Sequence, residues 1–347
     1  MAILLALALD LSASVRPSGT LPIMHINTED SRPIVDKVTK IPAGLWIEIP
    51  QLCENPDFAL ASSESPVTLE IRGRGNASWT QDKKPYKLKF TKKTAILGMP
   101  KHKHFVLLPC YFGFHDYMGQ TLGKDLAGMT GLGWGPRHQP VELVLNNEYL
   151  GLYTFMESVK IDENRLDIFE QEELNTDPET IPYGWLVEID NYPDEYQIKV
   201  PEGPFTMQVT HHSPEELSDE QRQWLIDEFT AINATIYGDD PERWVEHIEP
   251  ASMARYFIIR ELLTDTDGFN GSMYMHKDKD GDGLWHMGPI WDNSFYGWHT
   301  PEDWTMNQLP DYARWKILPA IFYTKAFQDV FIEEWDKFYP QMPRVTE

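Results

Sequence analysis

Thr264-Asp265-Thr266-Asp267-Gly268-Phe269-Asn270-Gly271-Ser272, Met273-Tyr274-Met275-His276-Lys277 and, further on, Pro289-Ile290-Trp291-Asp292-Asn293-Ser294 decide the fold by their order. Upstream, Pro250 to Leu263 has helical periodicity, so the first acids follow a predicted helix. Met273 to Lys277 and Leu284 to Met287 predict a β-pair around a tight polar turn. Asp292 follows the second strand of that pair directly. By itself the 264–272 stretch reads equally as an Asx-type turn closing the helix or as a loop holding a general base beside a hydroxyl.

The sequence between the two strands carries a decoy. Asp278-Lys279-Asp280-Gly281-Asp282-Gly283 matches the start of a calcium-binding loop. Its twelfth position is Pro289, where a bidentate Glu belongs, and a strand precedes it where a helix is required. It reads as a solvated hairpin turn, with incidental Ca²⁺ binding as the other reading. An acidic loop, a β-hairpin and then a second acid is the order found in the C-lobe of protein kinases. There the first acid accepts the substrate proton and the second holds Mg²⁺.

Toward the N-terminus the pattern turns to β. Trp46-Ile47-Glu48-Ile49, Val67-Thr68-Leu69-Glu70-Ile71 and Tyr86-Lys87-Leu88-Lys89-Phe90 alternate apolar and polar residues, with Lys87 and Lys89 facing away from Tyr86, Leu88 and Phe90. Val141 to Leu145, Asn146-Asn147-Glu148, then Tyr149 to Tyr153 reads as a hairpin. A helix is expected over Tyr117 to Met129, with Gly128 and Gly131 as stops. Residues 163–183 read as a connection, Trp185 to Ile189 as a strand and 191–213 as an insertion with short strands. Ser213-Pro214-Glu215-Glu216 reads as the start of a helix continuing through Gln221 to Tyr237, and Lys325 to Phe338 as a final helix. A β-rich first part and a helix-rich second part make an α+β chain in two lobes, the first about 21–155 and the second about 184–347.

Between two of the first strands lies Arg72-Gly73-Arg74-Gly75-Asn76-Ala77-Ser78-Trp79, followed by Lys83-Lys84-Pro85-Tyr86-Lys87. Glycines let backbone approach a ligand, and bare N–H groups cradle phosphate. The alternative is a basic hairpin face. Arg72, Arg74, Lys83, Lys84, Lys87, Lys89, Lys92 and Lys93 are eight of the chain's 30 Lys and Arg. A formal net charge of −24 excludes general nucleic-acid binding, which needs cationic contacts, and leaves this stretch as the place for a polyanion.

Composition sets the remaining bounds. With 347 residues, 41% hydrophobic, and twelve Trp, the chain has the material for a large packed core. No apolar run reaches the roughly 20 residues of a membrane span. Cys53 and Cys110 lack metal-site spacing; one bridge or two buried thiols are both open. Ala2 to Leu9, before Ser12-Ala13-Ser14, reads either as a signal-peptide remnant without its basic start or as a first buried element, and residues 1–20 are set apart as a lead-in. The first reading places the protein in the envelope, the periplasm or outside the cell; the second leaves it cytoplasmic.

RGRGNASW, KKPYKLKF, VELVLNNEYLGLYTFMESVKID, YGWLVEID, RYFIIRELLTDTDGF, GSMYMHKD and GPIWD together resemble the successive signatures of the CotH (spore-coat protein H) kinases, in family order from about Leu21 to Trp335. The resemblance implies an atypical protein-kinase-like fold that binds ATP with Mg²⁺ or Mn²⁺ and phosphorylates Ser or Thr in secreted or coat proteins. By position it assigns Asp267 as the catalytic aspartate and Asp292 as the metal-binding one, aided by Ser272, both aspartates on one cleft. It assigns Lys87 to the phosphates, with Lys84 as the alternative, and groups Arg72, Arg74 and Glu157 with the nucleotide site. Three departures stand out: Ser294 where the family often has a second acid, Gly271 where a basic residue is common, and an end soon after Trp335, before the family's last helices. The same family also implies two other readings, a nucleotide-binding pseudokinase and a cell-surface adhesion protein. The chain's acidity points to a basic acceptor segment.

Overall fold

The computed structural model describes residues 17–110, 117–190, 192, 196–202, 205–295, 313 and 315–342. The apolar stretch at residues 2–14 lies outside them. The chain is α+β and divides into two compact units, Met1–Pro109 with Gln139–Phe155, and Cys110–His138 with Met156–Glu347. Residues 110–138 therefore cluster with the second unit, although they precede the last strands of the first.

The first unit is a closed barrel of seven strands: β1 (Ile23–Thr28), β2 (Ile41–Glu48), β3 (Val67–Gly73), β4 (Tyr86–Ile96), β5 (Met99–Pro109), β6 (His138–Leu145) and β7 (Glu148–Glu157). Their order is β1-β2-β3-β4-β5-β7-β6, and β1 closes the ring by pairing in parallel with β6, Met24 opposite Leu143. Alternation fills the interior. Ile26, Leu45, Ile71, Leu88, Phe105, Leu107, Leu143 and Phe155 form one buried cluster, and the intervening polar residues turn outward. The β6–β7 turn is Asn146-Asn147 with φ 50° and 66°, the left-handed pair that a two-residue hairpin demands.

Among the described residues the second unit contains α1 (Tyr117–Thr130), an antiparallel sheet and four more helices, α2 (Asp219–Ile236), α3 (Pro250–Leu263), α4 (Leu318–Phe322) and α5 (Lys325–Phe338). Its sheet runs β12-β11-β8-β10-β9, with β8 (Trp185–Ile189), β9 (Gln197–Glu202), β10 (Phe205–Ser213), β11 (Met273–Lys277) and β12 (His286–Met287). All five residues of β8 are buried, as befits a strand covered on both faces. Trp185, Val187, Ile189, Met273 and Met275 meet Phe229, Phe257, Trp285 and Trp315 in the second core.

The start of α2 differs from the expectation. Ser213 closes strand β10, and the N-cap is Ser218, whose hydroxyl accepts from Gln221 N while the Gln221 side chain returns to Ser218 N. That reciprocal box satisfies two helix-end donors at once, and the acids Asp219 and Glu220 sit in the first turn, where the helix dipole favours them. Cys53 and Cys110 form no disulfide. Among the described residues no helix is long and apolar enough to cross a membrane.

Candidate functional site

Helix α3 builds the site from beneath. Glu249 caps it, its carboxylate accepting from Ala251 N at 2.9 Å and Ser252 N at 2.6 Å. Met253, Phe257 and Leu263 bury in the core, and Tyr256 and Arg260, four residues apart, fall on the same inward side, each at 0% exposure. A buried guanidinium is costly unless its donors are answered, and here both terminal nitrogens are answered while Nε is not. Arg260 Nη1 donates to Asp265 Oδ2 at 2.5 Å and to Asn293 Oδ1 at 3.1 Å, and Nη2 donates to the Trp291 carbonyl at 2.9 Å. The group lies over the Tyr256 ring, 5.0 Å from its centre. Gly268 permits this packing, since a Cβ there would stand 2.3 Å from Arg260 Nε.

The helix stops at Thr264, which is left-handed at φ 52°. Asp265 then turns back under it, fully buried, accepting from Gly268 N at 3.3 Å and Ser294 N at 3.4 Å. Burial pushes the Asp265 carboxyl up to about 6 despite the Arg260 charge, and Asp267 and Asp292 push it the same way. Both aspartates named from the sequence therefore stand within Coulombic reach of this one carboxylate. Arg260 and Asp265 escaped the sequence reading. The available signal was a cation falling on the apolar side of an otherwise well-patterned helix.

Asp267 itself is exposed. Its carbonyl accepts from Asn270 N at 2.8 Å and Gly271 N at 3.0 Å, and Phe269 anchors the turn against Phe257 with ring centres 4.8 Å apart. Ser272, half-buried with φ 53°, leads into β11. After β12 the chain reaches Trp291, buried and set edge-on to Tyr274, and then Asp292, half-buried at φ 54°. Asn293 is pinned from a third side, because Gln120 of α1 donates to its carbonyl at 3.0 Å. Gly123 of the same helix leaves space for its side chain, since a Cβ there would lie 2.3 Å from Asn293 Nδ2.

The oxygens flanking the hairpin are of the kind a hard cation takes. Arg260 holds Asp265 and the Asn293 side chain, and the oxygens on either side of the hairpin are the carboxylates of Asp267 and Asp292 and the Ser272 hydroxyl. These are oxygen ligands, as Mg²⁺ and Mn²⁺ prefer, and Mg²⁺ takes one or two carboxylates with phosphate oxygens completing its shell. Among the described residues no three His, Cys, Asp or Glu side chains gather into a self-sufficient metal cage. The calcium-loop decoy is a turn. Asp278 accepts from Phe169 N at 2.9 Å, and Asp282 accepts from Leu284 N and pairs with His286.

The basic residues of the first unit have several uses. Arg72 and Lys87 are direct partners across the β3–β4 ladder, and Lys87 faces Val106 on its other side, outside the barrel and half-buried. Arg72 also donates to the Lys37 carbonyl. The glycine loop is compact: Gly75 has φ 81°, and the Trp79 ring covers Gly73 so closely that a Cβ would lie 2.4 Å from it. Lys84 fastens this loop, donating to the Trp79 carbonyl at 2.8 Å with its ammonium over the Trp79 ring. Its reach is directed inward to the loop. Arg74 N donates to the Pro85 carbonyl at 3.2 Å across the loop's neck. Glu157, grouped with the nucleotide site from sequence, is fully buried in the second unit and holds arginines. It accepts from Arg137 Nε and Nη2 at 2.9 Å each and lies 3.7 Å from Arg165 Nε. A carboxylate at 0% exposure needs such partners.

No curated protein matches the chain. The family model described as CotH kinase protein matches residues 71–341, from β3 of the barrel to the turn after α5, and so spans the glycine loop, Asp267 and Asp292; the chain belongs to the CotH kinase family.

Proposed function

We propose that the protein transfers the γ-phosphoryl group of ATP to a Ser or Thr hydroxyl of a protein, with Mg²⁺ or Mn²⁺. The observation that carries this reading is the buried Arg260–Asp265 pair, which ties the chain on both sides of a β-hairpin and leaves one accessible aspartate at each end. On this reading the barrel is the N-lobe and the helical unit the C-lobe of an atypical protein-kinase-like fold.

Phosphoryl transfer asks a protein mainly for position and charge neutralisation. Asp267 orients the acceptor hydroxyl and takes its proton. The hydroxyl oxygen bonds to the γ-phosphorus, the bond to the β–γ bridging oxygen breaks, and ADP leaves. Asp292, with Ser272, would hold the cation, whose chemistry is to neutralise phosphate charge. Arg72 and Lys87 would supply cations to the phosphates, with Arg74 in the loop beside them. The net charge of −24 favours a basic acceptor segment, since opposite charge speeds encounter. A secreted or envelope acceptor follows from the family resemblance.

The two aspartates fail differently in a radiolabelled-ATP assay. Asp292→Ala loses metal-dependent nucleotide binding. Asp267→Ala keeps binding and loses transfer by about 10²–10⁴-fold. Labelling that survives Asp267→Ala removes it from the role of base. One observation favours a second reading, a nucleotide-binding pseudokinase. Ser294 is buried and its backbone N–H faces Asp265, so this loop offers Asp292 as its single acid. Clear ATP binding with no labelling of the protein or of a basic Ser-rich peptide selects that reading.

A further inference from the structure

We propose that Arg260 is a positioning residue that makes the cation site at Asp292 and the acceptor geometry at Asp267 a single mechanical unit. The inference rests on the phosphotransferase reading and names a residue that reading does not require.

The hairpin alone does not hold the two aspartates in register. Strands β11 and β12 pair at two positions, Met275 with Met287 and His276 with His286. Asp267 lies six residues before Met273, and Asp292 five residues after Met287. Each therefore sits on a length of non-strand chain. Arg260 reaches past the hairpin and grips both lengths from below. Its bond to Asp265 Oδ2 falls two residues before Asp267, and its bonds to the Trp291 carbonyl and Asn293 Oδ1 bracket Asp292 on both sides. Asp265 returns the connection, accepting from Gly268 N on one loop and Ser294 N on the other. Tyr256 adds a bond from its hydroxyl to the Gly268 carbonyl at 2.5 Å. The contacts straddle both aspartates and touch neither, as positioning requires.

Only arginine has the shape for this. Its planar fork presents donors in fixed directions and reaches acceptors on separate segments at once, whereas lysine offers one nitrogen. Arg260→Lys keeps the charge opposite Asp265 and gives up the span to Trp291 and Asn293. With the guanidinium in place a shift of either loop passes to the other, and a disturbance of the Asn293 side chain reaches Asp267 through its bond to Arg260.

The experiment is a double-mutant cycle on Arg260→Lys and Asn293→Ala, read as the affinity for Mn²⁺·ADP by calorimetry and by Mn²⁺ paramagnetic resonance, with circular-dichroism melts confirming folding. Asn293→Ala alone is expected to weaken Mn²⁺·ADP about tenfold, the factor that about 1.4 kcal/mol of lost coupling produces. In the Arg260→Lys background the same change is expected to do nothing further. Equal effects of Asn293→Ala in both backgrounds overturn the inference. A wild type that binds no Mn²⁺·ADP overturns the phosphotransferase reading itself, a separate outcome. Should Arg260→Lys melt too low to assay, the cycle runs between Asn293→Ala and Tyr256→Phe, which loosen the clamp from its two ends. Non-additivity supports the inference there and additivity sinks it. Transfer separates positioning from simple metal loss: raising Mn²⁺ refills the site in Arg260→Lys and leaves turnover low, because Asp267 has moved as well. Full recovery of turnover at high Mn²⁺ refutes the coupling.

Discussion

Two glycines of helix α1 give opposite answers to the same substitution. Gly123 is buried, and a Cβ on it would stand 2.3 Å from Asn293 Nδ2 and 2.4 Å from its Cγ. Gly128, one and a half turns later, has nothing within 4 Å of the same position. Replacing a helical glycine by alanine gains about 0.5–1 kcal/mol through backbone entropy. Gly128→Ala should deliver that gain and raise the melting temperature. Gly123→Ala begins with the same gain and then meets Asn293, which cannot step aside cheaply: its side chain accepts from Arg260 and its carbonyl from Gln120. Overpacking of this kind costs about 1–3 kcal/mol. If Asn293 yields by breaking its bond to the Arg260 guanidinium, a further ~1.5–3 kcal/mol is lost. The net is a destabilisation of about 0–2.5 kcal/mol if that bond holds and about 1.5–5.5 kcal/mol if it breaks, and at roughly 2–4 °C per kcal/mol the melt falls by several degrees. Asn293 follows Asp292 in the chain, so nucleotide affinity in the presence of Mg²⁺ should fall in Gly123→Ala and stay unchanged in Gly128→Ala. Thermal melts and a magnesium-dependent nucleotide titration on both variants decide the matter. A rise in melting temperature for both, with equal affinities, refutes the packing of α1 on the Asp292 loop.

Desolvated histidines give the pH dependence its sign. Burial pushes His276 down to about 4, and lowers His138, His211 and His247 as well. Between about 6.5 and about 4 the unfolded chain takes up a proton at His276 and the folded one does not, so stability is full above 6.5 and is lost as the pH falls toward 4. Asp265, raised to about 6, works in the opposite direction between about 4 and 6, the folded state holding the extra proton. His276→Asn, which retains a donor for the Gly288 carbonyl now served by His276 Nδ1, should flatten the acid limb in a urea titration at several pH values; an unchanged slope would remove His276 from that account. Glu157→Leu strands the charges of Arg137 and Arg165 and should cost about 3–5 kcal/mol by denaturant melts, whereas a neutral result would show that the pair is dispensable.

Helices α1, α3 and α5 were legible because their signals are local. Gly131 at φ 76° ends α1, Pro250 opens α3, and Thr324, whose side chain accepts from Phe327 N, opens α5. The barrel strands were legible through alternation, but closure was not, because the parallel pairing of Met24 with Leu143 joins residues with more than a hundred positions between them. The start of α2 was misplaced because Ser213-Pro214-Glu215-Glu216 and Ser218-Asp219-Glu220-Gln221 carry nearly the same cap signature. Pairing of Ser213 with Leu186 in the sheet decides between them, and it is a tertiary contact.

The Thr-Asp-Thr-Asp run shows where reading by residue type stops. Asp265 and Asp267 are equivalent as letters, and nothing in their spacing says which is available for chemistry. The choice depends on Arg260, five residues upstream, being pulled into the core by Met253, Tyr256 and Phe257 on the same side of α3. A guanidinium at that depth requires a carboxylate, and the left-handed turn at Thr264 delivers Asp265 to it at 2.5 Å. With Asp265 consumed, the next carboxylate in the run, on the short turn Asp267–Phe269 anchored by Phe269, is the one left facing solvent. The buried ion pair therefore makes Asp267 the accessible member of the run, and the same guanidinium, bonded to Trp291 and Asn293, fixes the loop that presents Asp292.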